Sequence, residues 1–166
     1  MSLIRPSIIA LLMLALACTA AGARAASGDQ SLERPASHEA LLRDSARERV
    51  VVVALFSLPG CPFCEAVRRD QLRHLAREQA SQRLRVVEYD LTDRNPFAPA
   101  GRSAAAAESP AALAATLGIR LAPTVVFLAP DGSELAERLI GYPSADFYGA
   151  YLEQRLKQAR ARLGAR

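Results

Sequence analysis

The sequence has few of the cysteines and histidines that usually hold a zinc ion. Its 166 residues include three cysteines and two histidines, and a structural zinc site needs four such ligands close together. His38 is remote in sequence from the cysteine pair Cys61 and Cys64. His74 lies about three helical turns beyond Cys61, too far to join the same ion. We therefore expect no metal site and no cofactor.

The chain also lacks the features of a nucleic-acid-binding surface. Aromatic residues make up 5% of the chain, and tryptophan is absent. Its 21 Lys and Arg residues face 17 Asp and Glu residues, giving a net charge of +4. The cations are scattered among acids, as in residues 47–49 and 68–70. Without a basic stripe interleaved with aromatics, we expect a mixed-charge surface and no nucleic-acid partner.

Long apolar runs are missing except at the N-terminus, where residues 1–25 are typical of a secretory signal peptide. Arg5 supplies the positive start, and residues 8–17 form a short apolar core. Ala23 and Ala25 are the small residues that precede a cleavage site. We expect cleavage before residue 26, a flexible leader at 26–36, and a periplasmic or secreted protein.

Two alternatives for this segment remain open. The uncharged run at 6–23 has roughly the minimum length of a membrane span, about 18 residues, but Pro6 and its weakly apolar end make a poor one. Cys18 could carry a lipid anchor, although Ala15 stands where a larger aliphatic residue is usual. Mass spectrometry decides, because an N-terminus at Ala26 supports release and a diacylated Cys18 contradicts it.

The chain after the leader alternates strand and helix patterns. Ser37 is a suitable N-cap for a first helix. The apolar, β-branched run at 50–56 predicts a strand buried on both faces. A helix at 62–80 and a strand at 84–89 complete a parallel strand–helix–strand unit. The inner face of that helix is predicted to hold Val67, Leu72, Leu75 and Ala76.

The second half begins with an irregular insertion at 91–107, whose Phe97 we expect to pack against the domain. Ser109 and Pro110 are typical of a helix start, and Gly118 of its end. The later predicted elements are a strand at 124–128, a turn at 130–132, a hairpin strand at 133–140, and a final helix from Ser144 with Phe147, Tyr151, Leu152 and Leu156 on its apolar side. Residues 37–166 thus form an α/β domain with a mixed central sheet and helices on both faces.

A Cys-Pro-Phe-Cys motif at 61–64 lies between the first strand and the second helix. Cysteines three residues apart at a helix start have Cα atoms about 5–6 Å apart, within disulfide reach. Free backbone N–H groups and the helix dipole stabilise a thiolate at Cys61. Cys61 is therefore the predicted nucleophile and Cys64 the resolving thiol.

Two other uses of the motif are disfavoured. Haem attachment requires a histidine after Cys64, where the chain has Glu65. A purely structural disulfide closes a very short loop, so it would stabilise the fold little.

Three features resemble the thioredoxin superfamily over about residues 50–156. The first is the apolar strand that leads into the motif at 61–64. The second is the segment Gly-Ile-Arg-Leu-Ala-Pro-Thr at 118–124, which is followed by a strand. The third is the Gly141–Tyr142 pair before the terminal helix. The resemblance implies a thioredoxin-like fold and thiol–disulfide exchange.

The resemblance also implies roles for individual residues. Pro123 should follow a cis peptide bond and lie beside the cysteines. Backbone groups at Ala122 and Pro123 should hold an extended partner segment, which would also contact Pro62 and Phe63.

Some residues depart from thioredoxin. The tryptophan usual before the first cysteine is absent, and Leu55 occupies the position of a buried acid six residues before Cys61. The proton of Cys64 must then pass to water or another group, since Glu65 is expected to face solvent. The segments at 57–65 and 141–143 resemble exported thioredoxin-like proteins of the SoxW type, which are periplasmic and associated with thiol reduction.

The uncharged Pro62–Phe63 dipeptide favours a disulfide reductase over a strong oxidase, because nothing between the cysteines adds positive charge. Its partners would be protein thiols and disulfides, and the resemblance suggests a membrane reductase of the DsbD type as electron donor. Two alternatives stay open: an oxidase that donates disulfides to exported proteins, and a non-catalytic module that binds a partner in the groove by Pro123.

Overall fold

The computed structural model describes residues 31–99 and 108–165. The predicted signal peptide with its alternatives, and residues 100–107 of the insertion, lie outside the described residues. The helices are α1 (His38–Glu48), α2 (Pro62–Val67), α3 (Arg73–Arg77), α4 (Gln79–Gln82), α5 (Pro110–Thr116) and α6 (Ala145–Gly164), and the strands are β1 (Val51–Ser57), β2 (Leu84–Asp90), β3 (Thr124–Leu128) and β4 (Leu139–Ile140).

The four strands form one mixed sheet in the order β2-β1-β3-β4. Strand β1 runs parallel to β2 and antiparallel to β3, and β4 pairs antiparallel with β3. Every residue of β1 is buried, as expected for a central strand covered on both faces. The core on one face includes Val67, Leu72, Tyr148 and Leu152, and the core on the other includes Leu41, Leu113 and Ile119. This arrangement confirms the predicted fold class.

The helix that follows the cysteines is interrupted by a π-helical turn at Arg68–Leu72, between α2 and α3. Val67 and Leu72 are both 0% exposed although Leu72 lies five positions after Val67. In a regular α-helix that spacing places two side chains on different faces. The wider turn returns Leu72 to the buried face. A turn at Glu78 then interrupts the helix, which resumes as α4 and ends at Gln82, two residues after the predicted end.

The predicted hairpin strand at 133–140 is mostly wrong. Only Leu139–Ile140 pairs with β3 as a strand, and Glu134 forms an isolated bridge with Leu128. Two residues of β3, at 126–127, lie opposite the four residues at 135–138, so this segment cannot stay in register with the strand. The segment between the bridge and β4 therefore leaves the ladder.

The buried face of α6 also differs from the prediction. Leu152 and Leu156 are buried as expected, but Phe147 is 62% exposed and Tyr151 is 48% exposed. Tyr148 takes the inward position instead, at 2% exposed. Because Tyr148, Leu152 and Leu156 recur every four residues, they form one continuous helical stripe. Phe147 and Tyr151 form a second stripe, turned toward solvent.

The described part of the predicted flexible leader packs against the sheet. Leu32 is 3% exposed, and Glu33 forms a parallel bridge with Val87 on β2. The Glu33 carbonyl accepts a hydrogen bond from the Glu88 N–H at 2.8 Å. Strand β2 is an edge strand whose backbone groups need partners. These residues therefore differ from the loose conformation expected for them.

Phe97 packs against the domain as expected. Its ring lies 6.2 Å from the His38 ring and 5.8 Å from the Tyr89 ring, centroid to centroid. His38 Nδ1 lies 2.7 Å from the Tyr89 hydroxyl oxygen. The Phe97 N–H donates to the Glu108 carbonyl at 2.8 Å. The base of the insertion is therefore closed against α1 and β2.

We expect the stability of the domain to fall between pH 7 and pH 5 because of His38. Burial lowers the pKa of His38, so the unfolded chain binds this proton at a higher pH than the folded chain. The loss therefore begins as the pH falls through the unfolded value, about 6.5, with a slope of at most about 1.4 kcal/mol per pH unit. Urea unfolding across this range measures it.

His38→Gln should flatten this pH dependence. His74→Gln is the matched control, since His74 is exposed and carries the chain's other imidazole. A wild-type slope that His38→Gln leaves unchanged contradicts the assignment.

Candidate active site

The first strand delivers the cysteines to the edge of the sheet. After Ser57, a turn brings the Cys61 N–H to the Leu58 carbonyl at 3.3 Å. Gly60 has φ of 68°, a left-handed conformation that glycine adopts without strain. Cys61 is then the N-cap of α2, with Pro62 in the first helical turn. The motif therefore sits at the predicted strand-to-helix junction.

Cys61 and Cys64 form a disulfide with Cα atoms 5.3 Å apart. Cys61 Sγ accepts a hydrogen bond from the Cys64 N–H at 3.1 Å. Cys64 is 0% exposed, whereas Cys61 is half-buried and Pro62 is exposed. Phe63 is 60% exposed. One sulfur thus faces a solvent-accessible surface and the other lies beneath the helix start.

The loop before β3 lies at the same edge of the sheet. The Ala122–Pro123 peptide bond is cis, as the resemblance implied. Thr124 is paired with Phe56, near the end of the strand that leads to the cysteines. The Pro123 carbonyl accepts from the Gly141 N–H at 2.7 Å. Pro123 itself is buried, while Ala122 is half-buried.

Leu55 is buried in the apolar core, and its partner on β2 is a carboxylate that sequence reasoning missed. Glu88 lies opposite Leu55 in the parallel register and is 1% exposed. Glu88 accepts a hydrogen bond from the Ser57 hydroxyl at 2.6 Å. It also accepts from Arg68 Nε at 3.0 Å and from a second Arg68 nitrogen. The sequence signal that could have revealed Glu88 is its position between Val87 and Tyr89, as a charged residue within an otherwise apolar part of a strand.

Arg68 connects this carboxylate to the helix of the cysteines. Its side chain is 16% exposed, and it also pairs with Glu65, which is 50% exposed as expected for a solvent-facing residue. The hydrogen bond that Arg68 donates to Glu88 is the largest of the causes that raise the pKa of Arg68. The guanidinium therefore stays charged beside two carboxylates.

A cavity of about 640 Å³ joins the ion pair to the cysteine motif. Its lining includes Cys61 and Pro62 together with five charged residues. Those residues are Arg34, Glu65, Arg68, Glu88 and Asp90. Among the described residues that line the cavity, the formal charges are two positive and three negative, which gives this part of the wall a net negative charge.

Within residues 31–99 and 108–165, no group of three or more His, Cys, Asp or Glu side chains is placed to hold a metal ion. In the same part of the chain, no helix combines the length and apolarity needed to cross a membrane.

A disulfide at the N-terminus of a helix, with a cis-proline loop at the same edge of a mixed α/β sheet, defines a redox protein of the thioredoxin class. The chain belongs to the family of thioredoxin-like domains, which matches residues 39–156. The Cys61–Cys64 disulfide makes this domain a thiol–disulfide oxidoreductase in general terms. Comparison with curated proteins finds no match.

Several solved structures are similar to this chain. Chloroplastic thioredoxin z is 23% identical, with a TM-score of 0.51, covering 79% of this chain and 96% of its own. The DsbH oxidoreductase is 21% identical, with a TM-score of 0.51, and the match covers 76% of this chain and 85% of DsbH. The periplasmic thioredoxin SoxS of Paracoccus pantotrophus is 22% identical, with a TM-score of 0.43, and the match covers 66% of this chain and 98% of SoxS. Thioredoxin z and DsbH support the fold.

Proposed function

We propose that this protein is a periplasmic disulfide reductase that works through Cys61 and Cys64. The observation that carries the proposal is the unequal burial of two bonded sulfurs at one helix N-terminus. A thiol–disulfide exchange needs one accessible nucleophile and one protected thiol to finish the reaction. Cys61 fits the first role and Cys64 the second.

The reaction starts from the dithiol. The Cys61 thiolate attacks a client disulfide, so that a bond forms between Cys61 and one client sulfur while the client's own S–S bond breaks and one client thiolate leaves. Cys64, once deprotonated, attacks the Cys61 sulfur and releases the second client thiolate. Two electrons pass to the client, and the protein is left with the Cys61–Cys64 disulfide.

The two segments at this edge of the sheet expose apolar groups that suit an extended client segment. Phe63 and Leu121 are exposed at 60% and 62%, and Ala122 is half-buried in the loop that contains the cis bond. These apolar groups offer contact area, while loop backbone groups can pair with an extended chain. We assign Pro62, Phe63, Ala122 and Pro123 to client binding.

Two features favour reduction over oxidation. The dipeptide between the cysteines is uncharged, so it adds nothing to the stability of a thiolate. The described residues that line the adjoining cavity include more carboxylates than cations, which disfavours a thiolate further. A dithiol that gains little from ionisation gives up its electrons more readily.

The proposed location and partners rest on the sequence. The signal-peptide pattern at 1–25 supports export, and the segments at 57–65 and 141–143 support a relation to proteins of the SoxW type. A reductase outside the cytoplasm needs a supply of electrons, for which a membrane reductase of the DsbD type is the proposed donor.

The redox potential of the Cys61–Cys64 pair tests the proposal. We expect equilibration with glutathione to give a value near that of thioredoxin, about −270 mV, and the dithiol form to reduce insulin. A value near the approximately −120 mV of DsbA would contradict a reductase and would favour the oxidase instead.

A further inference from the structure

Glu88 is the only charged residue that is fully buried within the described part of the chain. Burying a carboxylate costs several kcal/mol before its partners offset that cost. A hydrophobic residue at this position in β2 would pack in the same layer as Leu55, its register partner. The chain instead holds a carboxylate there, paired with Arg68 of the helix that follows the cysteines.

The partners of Glu88 connect this residue to the strand and the helix that flank the accessible sulfur. Arg68 follows Cys61 by seven residues, which is about two helical turns, so both lie on one side of the same helix. Ser57 ends the strand that leads to the cysteines. Glu88, Arg68 and Cys61 all line the same cavity of about 640 Å³.

The guanidinium of Arg68 would by itself favour a thiolate at Cys61, as a nearby cation does. Glu88 and Glu65 both bind Arg68 and offset its charge. Asp90 adds a further negative charge to the cavity wall and Arg34 a positive one. The helix N-terminus, through the Cys64 N–H, is left as the principal group that stabilises the thiolate.

We propose that Glu88 is a positioning residue that makes the dithiol more reducing, because its buried negative charge opposes the thiolate that forms at Cys61. The inference rests on the proposed function. Glutathione reduces the protein in a balanced step: the Cys61–Cys64 disulfide and two glutathione thiols give two protein thiols and one glutathione disulfide. Whatever destabilises the Cys61 thiolate shifts this equilibrium toward the protein disulfide.

Glu88→Gln tests the proposal, since it keeps the shape of the side chain and an acceptor oxygen while removing the charge. The alkylation rate of Cys61 with iodoacetamide, followed against pH, should show its midpoint about one pH unit lower than in the wild type. The equilibrium constant with glutathione should shift toward the dithiol by roughly two- to tenfold, most strongly at a pH above that midpoint.

Glu65→Gln gives a second measurement that does not depend on a buried substitution. Glu65 is half exposed, so this variant should shift both quantities in the same direction but by less. Added salt at about 1 M should remove most of the Glu65 effect and leave most of the Glu88 effect, because a buried charge is screened less. If Glu88→Gln does not fold, an unchanged midpoint in Glu65→Gln overturns the proposal.

Glu134→Gln is the matched control. Glu134 also pairs with an arginine, Arg138, and is 27% exposed, but it bridges to Leu128 at the end of β3 far from the cysteines. It should behave as wild type. Equal midpoints and equilibrium constants in Glu88→Gln and Glu134→Gln overturn the proposal. The redox potential of the wild type tests the proposed reductase function separately. The difference between Glu88→Gln and Glu134→Gln tests the role of Glu88 and can be measured at any value of that potential.

Discussion

Cys61→Ser should abolish disulfide exchange, lowering the rate of insulin reduction by roughly 10³-fold or more. The serine hydroxyl is not ionised near neutral pH, so it cannot replace a thiolate as nucleophile. Cys64 cannot take over, because it is 0% exposed beneath the start of α2. Turbidity from precipitated insulin chains measures the rate, with dithiothreitol as the source of electrons.

Cys64→Ser is the matched control, because it makes the same substitution three residues away. It leaves the nucleophile intact and removes the group that releases the client. Incubation with glutathione disulfide should therefore leave one glutathione bound through Cys61, visible as a mass increase, whereas Cys61→Ser should carry none. If Cys61→Ser kept the biological activity of the protein, the binding-module alternative would be supported and the catalytic assignment would be wrong.

The fold around the cysteines could be predicted because local signals agree there. Strand β1 is a continuous β-branched run, and Pro62 suits the first turn of a helix. The hairpin after β3 was harder to predict. Its turn was predicted correctly, but its second strand was not. Leu135 and Ala136 are both buried, and the tertiary environment that accepts two consecutive apolar residues is not visible in the local pattern.

The redox pair could be predicted from spacing, but its surroundings could not. Cys61 and Cys64 are three residues apart, so the helix start itself brings them together. Glu88 and Arg68 are 20 residues apart, and they meet only because a strand and a helix pack face to face. The π-helical turn that begins at Arg68 changes which side of the helix the later residues occupy. A fixed period of about 3.6 residues per turn does not capture this change.

Arg68→Met should destabilise the domain by about 3 kcal/mol, the lower end of the range for breaking a buried ion pair. Removing the guanidinium leaves Glu88 buried with Ser57 as its remaining side-chain donor. The lower end applies because Arg68 is itself 16% exposed, so water can reach part of the vacated space. Urea unfolding of the oxidised protein measures the change, and Arg155→Met, which breaks the pair with the exposed Glu137, should cost less than about 1 kcal/mol.

The double variant Arg68→Met with Glu88→Leu should recover most of the loss. The two substitutions replace a paired charge with apolar side chains, and such exchanges are often neutral or stabilising. The carboxylate that cost the single variant its stability is then absent. Restored stability would also separate the role of the pair in stability from the effect of Glu88 on the Cys61 thiolate. The double variant lacks Glu88, so its alkylation midpoint should lie at a lower pH than that of Arg68→Met. If the double variant is as unstable as Arg68→Met, the loss comes from packing around Arg68 and not from an unpaired Glu88.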